Sequence, residues 1–349
     1  MRKPTLGDVA QQAGVSYATA DRVLNGRAKV SEKTAKKVRT AVHELQYERN
    51  VAAANLSRQR VYRFVFVLPA GQNAFFKHVR EIIAAKAVGA ARLAISLEIQ
   101  EAPAFDAPGL GAHLDALATQ PIDGIAVVGL EDDALLAPLN RLSEIGIPVV
   151  SLVSSLPTLA QNTYIGIDNV MAGRTAGRLA GMAHTGRVGC AQVIVGGLNA
   201  RDHIERLNGF QQVIEADFPN IEIRPVILGR DDAETVYAQT LTALAVNPQI
   251  TAIYNVGAGN SGLGQALAGV PQRPFCIVHE LVAHSRSALE NNLFDIVIDQ
   301  RPEEEITAAL DLLRLLSDRL PLPPHDLILP TIFVRDNLPP RPPQTINQN

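Results

Sequence analysis

Tyr17, Ala18, Asp21 and Arg22 fall on the outward face of one short helix in the stretch Ser16-Tyr-Ala-Thr-Ala-Asp-Arg-Val-Leu-Asn25. A short polar helix of this kind, presented by a tight turn, is the shape that enters a DNA major groove, although two short helices joined by a turn are common in other proteins. A second set of side chains follows or borders apolar, strand-like runs: Asn73, Phe75, Phe76, Ser154, Arg206, Asn255, Glu280 and Gln300. In open α/β sheets that is where ligands sit. Donors and acceptors together suit a neutral polyhydroxylated ligand better than a phosphate or a nucleotide.

Gly257-Ala-Gly-Asn-Ser-Gly262 carries a different chemistry. It fits G-x-G-x-x-G, follows a strand-like run and precedes a short helix, with Glu280 at about the distance of an acidic ribose partner. That fingerprint normally opens a nucleotide domain, whereas this one comes late in a lobe already begun at Val188. A tight turn between Asn255 and the next helix is therefore preferred over an NAD-dependent oxidoreductase. No G-x-S-x-G elbow, Walker loop or H-E-x-x-H occurs, and catalysis is not expected. Cys190 and Cys276 have neither metal-ligand spacing nor a partner motif, which leaves two free thiols, no metal site and no cofactor.

The outward face needs helices to hold it. Thr5 and Asp8 form a capping-box-like start, Leu6, Val9, Ala10 and Ala13 recur at helical spacing, and Gly14 ends the run. Ser16 caps a second helix with Ala20, Val23 and Leu24 inward, stopped by Asn25-Gly26. Ser31 caps a third, through about Leu45, whose buried stripe is Ala35, Val38, Ala41, Val42 and Leu45 and whose other face carries Lys33, Lys36, Lys37 and Arg39. Residues 1–63 hold 13 Lys or Arg against 5 Asp or Glu, a net of +8; the whole chain is −3, so the remainder carries −11. A basic head on an acidic body suits phosphate binding.

The second set needs sheets. From Tyr62 onward apolar runs alternate with helical patterns, as in parallel sheets covered on both faces. Strands are predicted at 63–68, 94–100, 124–128 and 148–152, with helices near 76–91, 109–119 and 132–145. After a crossing at 163–166, strands follow at 188–195, 221–228, 252–255, 275–279 and 295–299, then a helix over 303–319 and a strand over 326–333. Strands shared between two lobes match the periplasmic-binding-protein fold. At 349 residues and 47% apolar composition the chain can bury two cores beyond the head. No apolar run has transmembrane length, and no signal-peptide core is present, so a cytoplasmic protein without membrane contact is expected. The proline-rich segment 339–349 reads as an extended, disordered tail.

Taken together, T-L-x-D-V-A-x-x-A-G-V-S-x-x-T-x-x-R-V-L-N, then V-S-x-x-T-x-x-K-V, E-L-x-Y and Asn50 resemble the LacI/GalR family of bacterial transcription regulators. The resemblance implies a helix-turn-helix head over 1–49 and a hinge helix and linker over 50–61. It further implies a two-lobed, doubly wound α/β body over 62–338, with an N-lobe of about 62–160 plus 301–322 and a C-lobe of about 163–298 plus 324–336. It gives Tyr17, Ala18 and Arg22 the base-reading positions, and Ser16, Thr19, Asn25, Lys29, Ser31 and Thr34 the phosphate contacts. Asn50, Ala53 and Leu56 match a hinge segment that becomes helical on operator DNA, with Leu56 wedged into the minor groove. In the body it makes Asn73, Phe75 and Phe76 a sugar-facing segment in which an aromatic ring stacks on the sugar. It also makes Arg206 a bidentate donor, Glu280 an acceptor from two hydroxyls, and Asn255 and Gln300 the rest of the set.

Three positions depart from the family. Ala20-Asp21 replaces Val-Ser and puts a carboxylate where a phosphate contact is expected. Glu48-Arg49 stands where a proline often precedes the hinge. Val153-Ser154 replaces an Asp-Arg pair in the cleft. The expectation is a homodimeric regulator, acting as a repressor, that binds palindromic operator DNA under the control of a sugar or polyol effector. A solute-binding sensor with a non-functional head is the rival.

Overall fold

The computed structural model describes residues 4–24, 30–45, 47, 61–157, 163–323 and 327–341. Its head and body are separate units. Thr5 starts α1 (Leu6–Ala13) by accepting from the Asp8 amide, while the Asp8 carboxylate accepts from the Thr5 amide at 2.7 Å. Gly14 ends it at a left-handed φ of 64°. Ser16 and Ser31 accept from the amides of Thr19 and Thr34 and so start α2 (Tyr17–Leu24) and α3 (Glu32–Glu44). Val9, Ala10, Ala13, Ala20, Val38 and Ala41 close a small core between the three.

In the body the N-lobe sheet has the order β2-β1-β3-β4-β5, all parallel, from β1 (Tyr62–Pro69), β2 (Ile95–Ala102), β3 (Gly124–Val128), β4 (Val149–Leu152) and β5 (Tyr164–Ile165). β3 is buried at every position, as a strand covered on both faces must be. Helices α4 (Ala74–Arg92), α5 (Ala107–Leu117) and α6 (Leu136–Glu144) follow the first three strands. Phe64, Phe66, Phe75, Phe76, Val79 and Ile83 form one core layer, and Val65, Val67, Leu110, Leu114 and Leu142 the other.

The C-lobe sheet runs β12-β11-β10-β9-β6-β7, with β8 also on β6. Its strands are β6 (Gly189–Val195), β7 (Ile221–Ile223), β8 (Ile227–Leu228), β9 (Ala252–Asn255), β10 (Phe275–His279), β11 (Ile296–Asp299) and the antiparallel β12 (Thr331–Phe333). Helices α7 (Asn169–Ala183), α8 (Arg201–Asp217), α9 (Ala233–Val246), α10 (Asn260–Ala268) and α11 (Ala283–Glu290) cover it. After β11 the chain returns to the N-lobe as α12 (Pro302–Ser317), whose Ile306, Ala309 and Leu313 join the first core, and then crosses back, where Ile328 bridges Ile167.

Two strand expectations change. The run 221–228 is split into β7 and β8 around Pro225, which has no N–H for a ladder and whose carbonyl accepts from the Gln192 side chain. The late strand is confined to 331–333, because Pro330 has no N–H to give the ladder before it; position 326, where the strand was expected to begin, lies outside the described residues. Among the described residues no helix is long and apolar enough to cross a membrane.

Candidate binding cleft

A cavity of about 410 Å³ lies between the lobes at the carboxyl ends of the strands. Of the sequence-derived ligand set, Asn73, Phe75, Phe76, Ser154, Arg206, Glu280 and Gln300 line it together. Asn255 does not. It is fully buried behind the wall, where its amide group donates to the Ala258 carbonyl and to Asn260 Oδ1 and its oxygen accepts from the Gly257 amide. All its polar atoms serve the turn, so the expected ligand contact from Asn255 is corrected to a structural role.

On the C-lobe side one polar chain runs along the cleft floor. Arg206 projects from α8 and donates through Nε to Asn169 Oδ1 at 2.8 Å, through one terminal nitrogen to the Val256 carbonyl at 2.8 Å, and through the other to Gln300 Oε1 at 3.5 Å. Gln300 Nε2 donates in turn to Glu280 Oε1 at 2.7 Å. Burial works against the Arg206 charge, yet Asp202, four residues earlier on the same helix, and Glu280 hold its pKa above the ordinary value. Burial pushes the Glu280 carboxyl well up, with Asp299 adding to the effect and Arg206 and the Gln300 hydrogen bond opposing it. Glu280 also holds a left-handed backbone at φ 72°. Phe105, Val153, Arg230 and Asp231 share that conformation and the cavity lining, a concentration of strain typical of sites the surrounding fold must hold in place.

The N-lobe side is built from caps. Asn73 Oδ1 accepts from the amides of Phe75 and Phe76 and starts α4, while its Nδ2 donates to Asp231 Oδ2 at 3.0 Å across the cleft. The Phe75 and Phe76 rings meet edge to face at 5.1 Å, each both a core residue and part of the cavity wall. Ser154 Oγ accepts from the Asp202 amide at 3.4 Å, supplying to α8 a cap that its own Ala200 lacks. Further out, Asn199 donates to the Phe105 carbonyl and accepts from the Glu131 amide, and Arg201 pairs with Glu131 at 3.2 Å. With these direct contacts between lobes the cleft is closed.

Phe105, Asp202, His203 and Asp231 line the cavity without having been singled out. Asp202 was the findable one, since an acid four residues before Arg206 shares its helix face. His203 Nδ1 accepts from the amides of Gly196 and Gly197, which fixes the ring beside Phe105, and no sequence spacing announces that. Asp231 explains the glycine motif. Its Oδ1 accepts from the Ala258 amide at 2.9 Å, so the backbone donor a phosphate would use is already taken by a carboxylate. A Cβ at Gly257 would meet that same Oδ1 at 2.5 Å, and one at Gly262 would sit 1.8 Å from the Ala233 carbonyl. The spacing serves helix and loop packing. Among the described residues no group of three His, Cys, Asp or Glu is placed to hold a metal ion.

In the head, Tyr17, Ala18 and Arg22 are exposed on α2, and Asp21 is half-buried. Thr19 and Thr34 are half-buried beside the exposed Ser16 and Ser31, each pair of hydroxyls 2.8 Å apart. Asn25, Lys29, Asn50, Ala53 and Leu56 lie outside the described residues.

Residues 64–319 match the family model of a periplasmic binding protein domain, and residues 5–50 match that of bacterial regulatory proteins, lacI family. The chain thus carries a periplasmic binding protein domain over most of its length, behind a lacI-type segment at residues 5–50. Its regulator relatives include the HTH-type transcriptional regulator DegA of Bacillus subtilis, 29% identical over 61% of each chain, and CelR of Thermobifida fusca, 30% identical over 62% of each. The chain thus spans about three fifths of the length of the curated relatives it matches. The body resembles GanP, a glucose-galactose binding protein from Geobacillus stearothermophilus, with a TM-score of 0.72 and 22% identity over 80% of this chain and 99% of that one. This likeness speaks to the fold alone.

Proposed function

We propose that this chain is a sequence-specific DNA-binding regulator, acting as a repressor, whose operator affinity is set by a sugar or polyol bound between its lobes. The observation that carries the reading is the Arg206–Gln300–Glu280 chain lining a closed cleft in a body that bears a lacI head. Hydroxyl groups both give and take hydrogen bonds, and an amide flanked by a guanidinium and a carboxyl offers both. DegA and CelR are named as transcriptional regulators and GanP as a sugar-binding protein, which supports the same division of labour.

Within this reading residues 1–49 are the head, 50–61 the hinge and 62–338 the body. Tyr17, Ala18 and Arg22 read bases; Ser16, Thr19, Asn25, Lys29, Ser31 and Thr34 hold phosphates. Asn50, Ala53 and Leu56 form the minor-groove hinge. A palindromic operator calls for a homodimer, and DNA binding for a cytoplasmic location. Effector binding favours one arrangement of the lobes, and only its differential affinity for the two states changes operator affinity. The test is a gel-shift of the full chain on a palindrome with a central CpG step. Binding that weakens steeply with salt and loses bending in Leu56→Ala supports the reading, and operator affinity unaffected by either salt or sugars and polyols overturns it.

A further inference from the structure

Among the described residues the buried acids are Asp202, Glu280 and Glu305 and the buried guanidinium is Arg206, and all four meet at one end of the cleft. Three carboxyl groups therefore stand around one permanent cation, with the His203 ring also 3.6 Å from Asp202 Oδ2. The guanidinium does not hydrogen-bond to any of them: its three bonds go to neutral oxygens of Asn169, Val256 and Gln300, and the nearest carboxylate oxygen, Asp202 Oδ2, stands 4.0 Å away. Glu280 lines the cavity at 6% exposure, and its Oε2 is buried with no hydrogen-bond partner although its Oε1 has one. Gln300 donates to one oxygen of Glu280 and Arg206 lies nearby, so the unmet need is a donor at Oε2, and a cationic donor there would also favour the ionised carboxylate that burial and Asp299 oppose. A neutral hydroxyl from a ligand supplies only the hydrogen bond; an ammonium supplies the hydrogen bond together with the positive charge that lets Glu280 ionise.

We propose that the effector is a sugar or polyol bearing a protonated amine, with its ammonium group seated against Glu280 and Asp202. The inference rests on the sugar or polyol reading above and narrows it to amino sugars and amino polyols. Arg206 and Gln300 then hold neighbouring hydroxyls, and Phe75 and Phe76 wall the carbon skeleton from the other lobe.

The test is calorimetric titration and thermal shift of the full chain with matched pairs: glucosamine against glucose, galactosamine against galactose, and glucamine against sorbitol, with N-acetylglucosamine as a neutral ligand of added bulk. The expected result is that at least one amine binds ~10-fold or more tighter than its neutral twin, the affinity equivalent of about 1.4 kcal/mol. Glu280→Gln removes that preference while its melting temperature stays at or above wild type, and Asp202→Asn weakens the amine more than its twin. A neutral member binding as tightly as its amine, or a preference that survives Glu280→Gln, overturns the amine and leaves the sugar reading standing. A panel in which nothing binds overturns both.

Discussion

Replacing Glu305 by methionine is expected to stabilise the protein, and by more at pH 8 than at pH 5. Glu305 sits in the first turn of α12 at 0% exposure, and neither carboxyl oxygen meets a hydrogen-bond donor. Burial raises its pKa well above the ordinary 4.5, Glu280 adds to this, and Arg206 opposes it. A carboxyl raised in the folded state contributes stability that is present below the unfolded pKa and lost as pH rises through the folded one. The wild-type protein therefore loses stability on going upward from about pH 4.5. Methionine has similar length and volume without a polar atom, so it abolishes both the unmet oxygens and the titration. Glu303 and Glu304 remain to face the helix N-terminus.

Exchanging a buried charge for an apolar group of like volume is worth about 1–4 kcal/mol, the gain expected at pH 8. At pH 5 only the unmet hydrogen bonds of a protonated acid are relieved, and the gain is smaller. Each kcal/mol raises the melting temperature by roughly 2–4 °C in a domain of this size. Urea melts of the full chain followed by circular dichroism at both pH values give the comparison. A destabilised variant, or a gain that is the same at pH 5 and pH 8, refutes the placement of an unpaired acid behind the cleft.

Arg206→Met removes three hydrogen bonds and the only buried guanidinium among the described residues; a loss of about 3–5 kcal/mol in the same melts, together with loss of effector binding, is expected. Asn73→Asp keeps the two acceptor contacts that start α4 but sets a carboxylate against Asp231, at a cost of about 1.5–3 kcal/mol to the closed state. Small-angle scattering should then show a larger radius of gyration, and an unchanged one counts against the Asn73–Asp231 hydrogen bond as a tie between the lobes. Arg22→Ala is expected to cost about 1–3 kcal/mol on the preferred operator and nearly nothing on unrelated DNA, measured by fluorescence anisotropy; equal losses on both assign Arg22 to phosphate instead.

Most of the fold was legible because periodicity and caps are local. Thr5, Gly14, Ser16 and Ser31 mark the head helices within a residue, and the fully apolar run of β3 reads directly as a doubly covered strand. What failed was also local in cause: Pro225 split a strand that hydropathy alone ran through. In the cleft, polar residues at strand ends were findable because ligands collect there, and seven of the eight singled out line one cavity. Asn255 satisfied the same positional rule but turns its side chain into the 257–260 loop, and strand position does not encode which way a terminal side chain faces. Asp231 and His203 were illegible because their partners, Asn73 with Ala258 and the amides of Gly196 and Gly197, are brought to them only by the folded lobes.

The most direct measurement is the operator affinity of the full chain, by fluorescence anisotropy on labelled palindromic DNA, with and without a saturating ligand taken from the matched sugar and amine pairs. Coupling between cleft and head requires a change of about 5–150-fold in Kd, in either direction, that Arg206→Met abolishes. An operator affinity identical in free and ligand-saturated protein, with ligand binding verified by calorimetry in the same buffer, contradicts it.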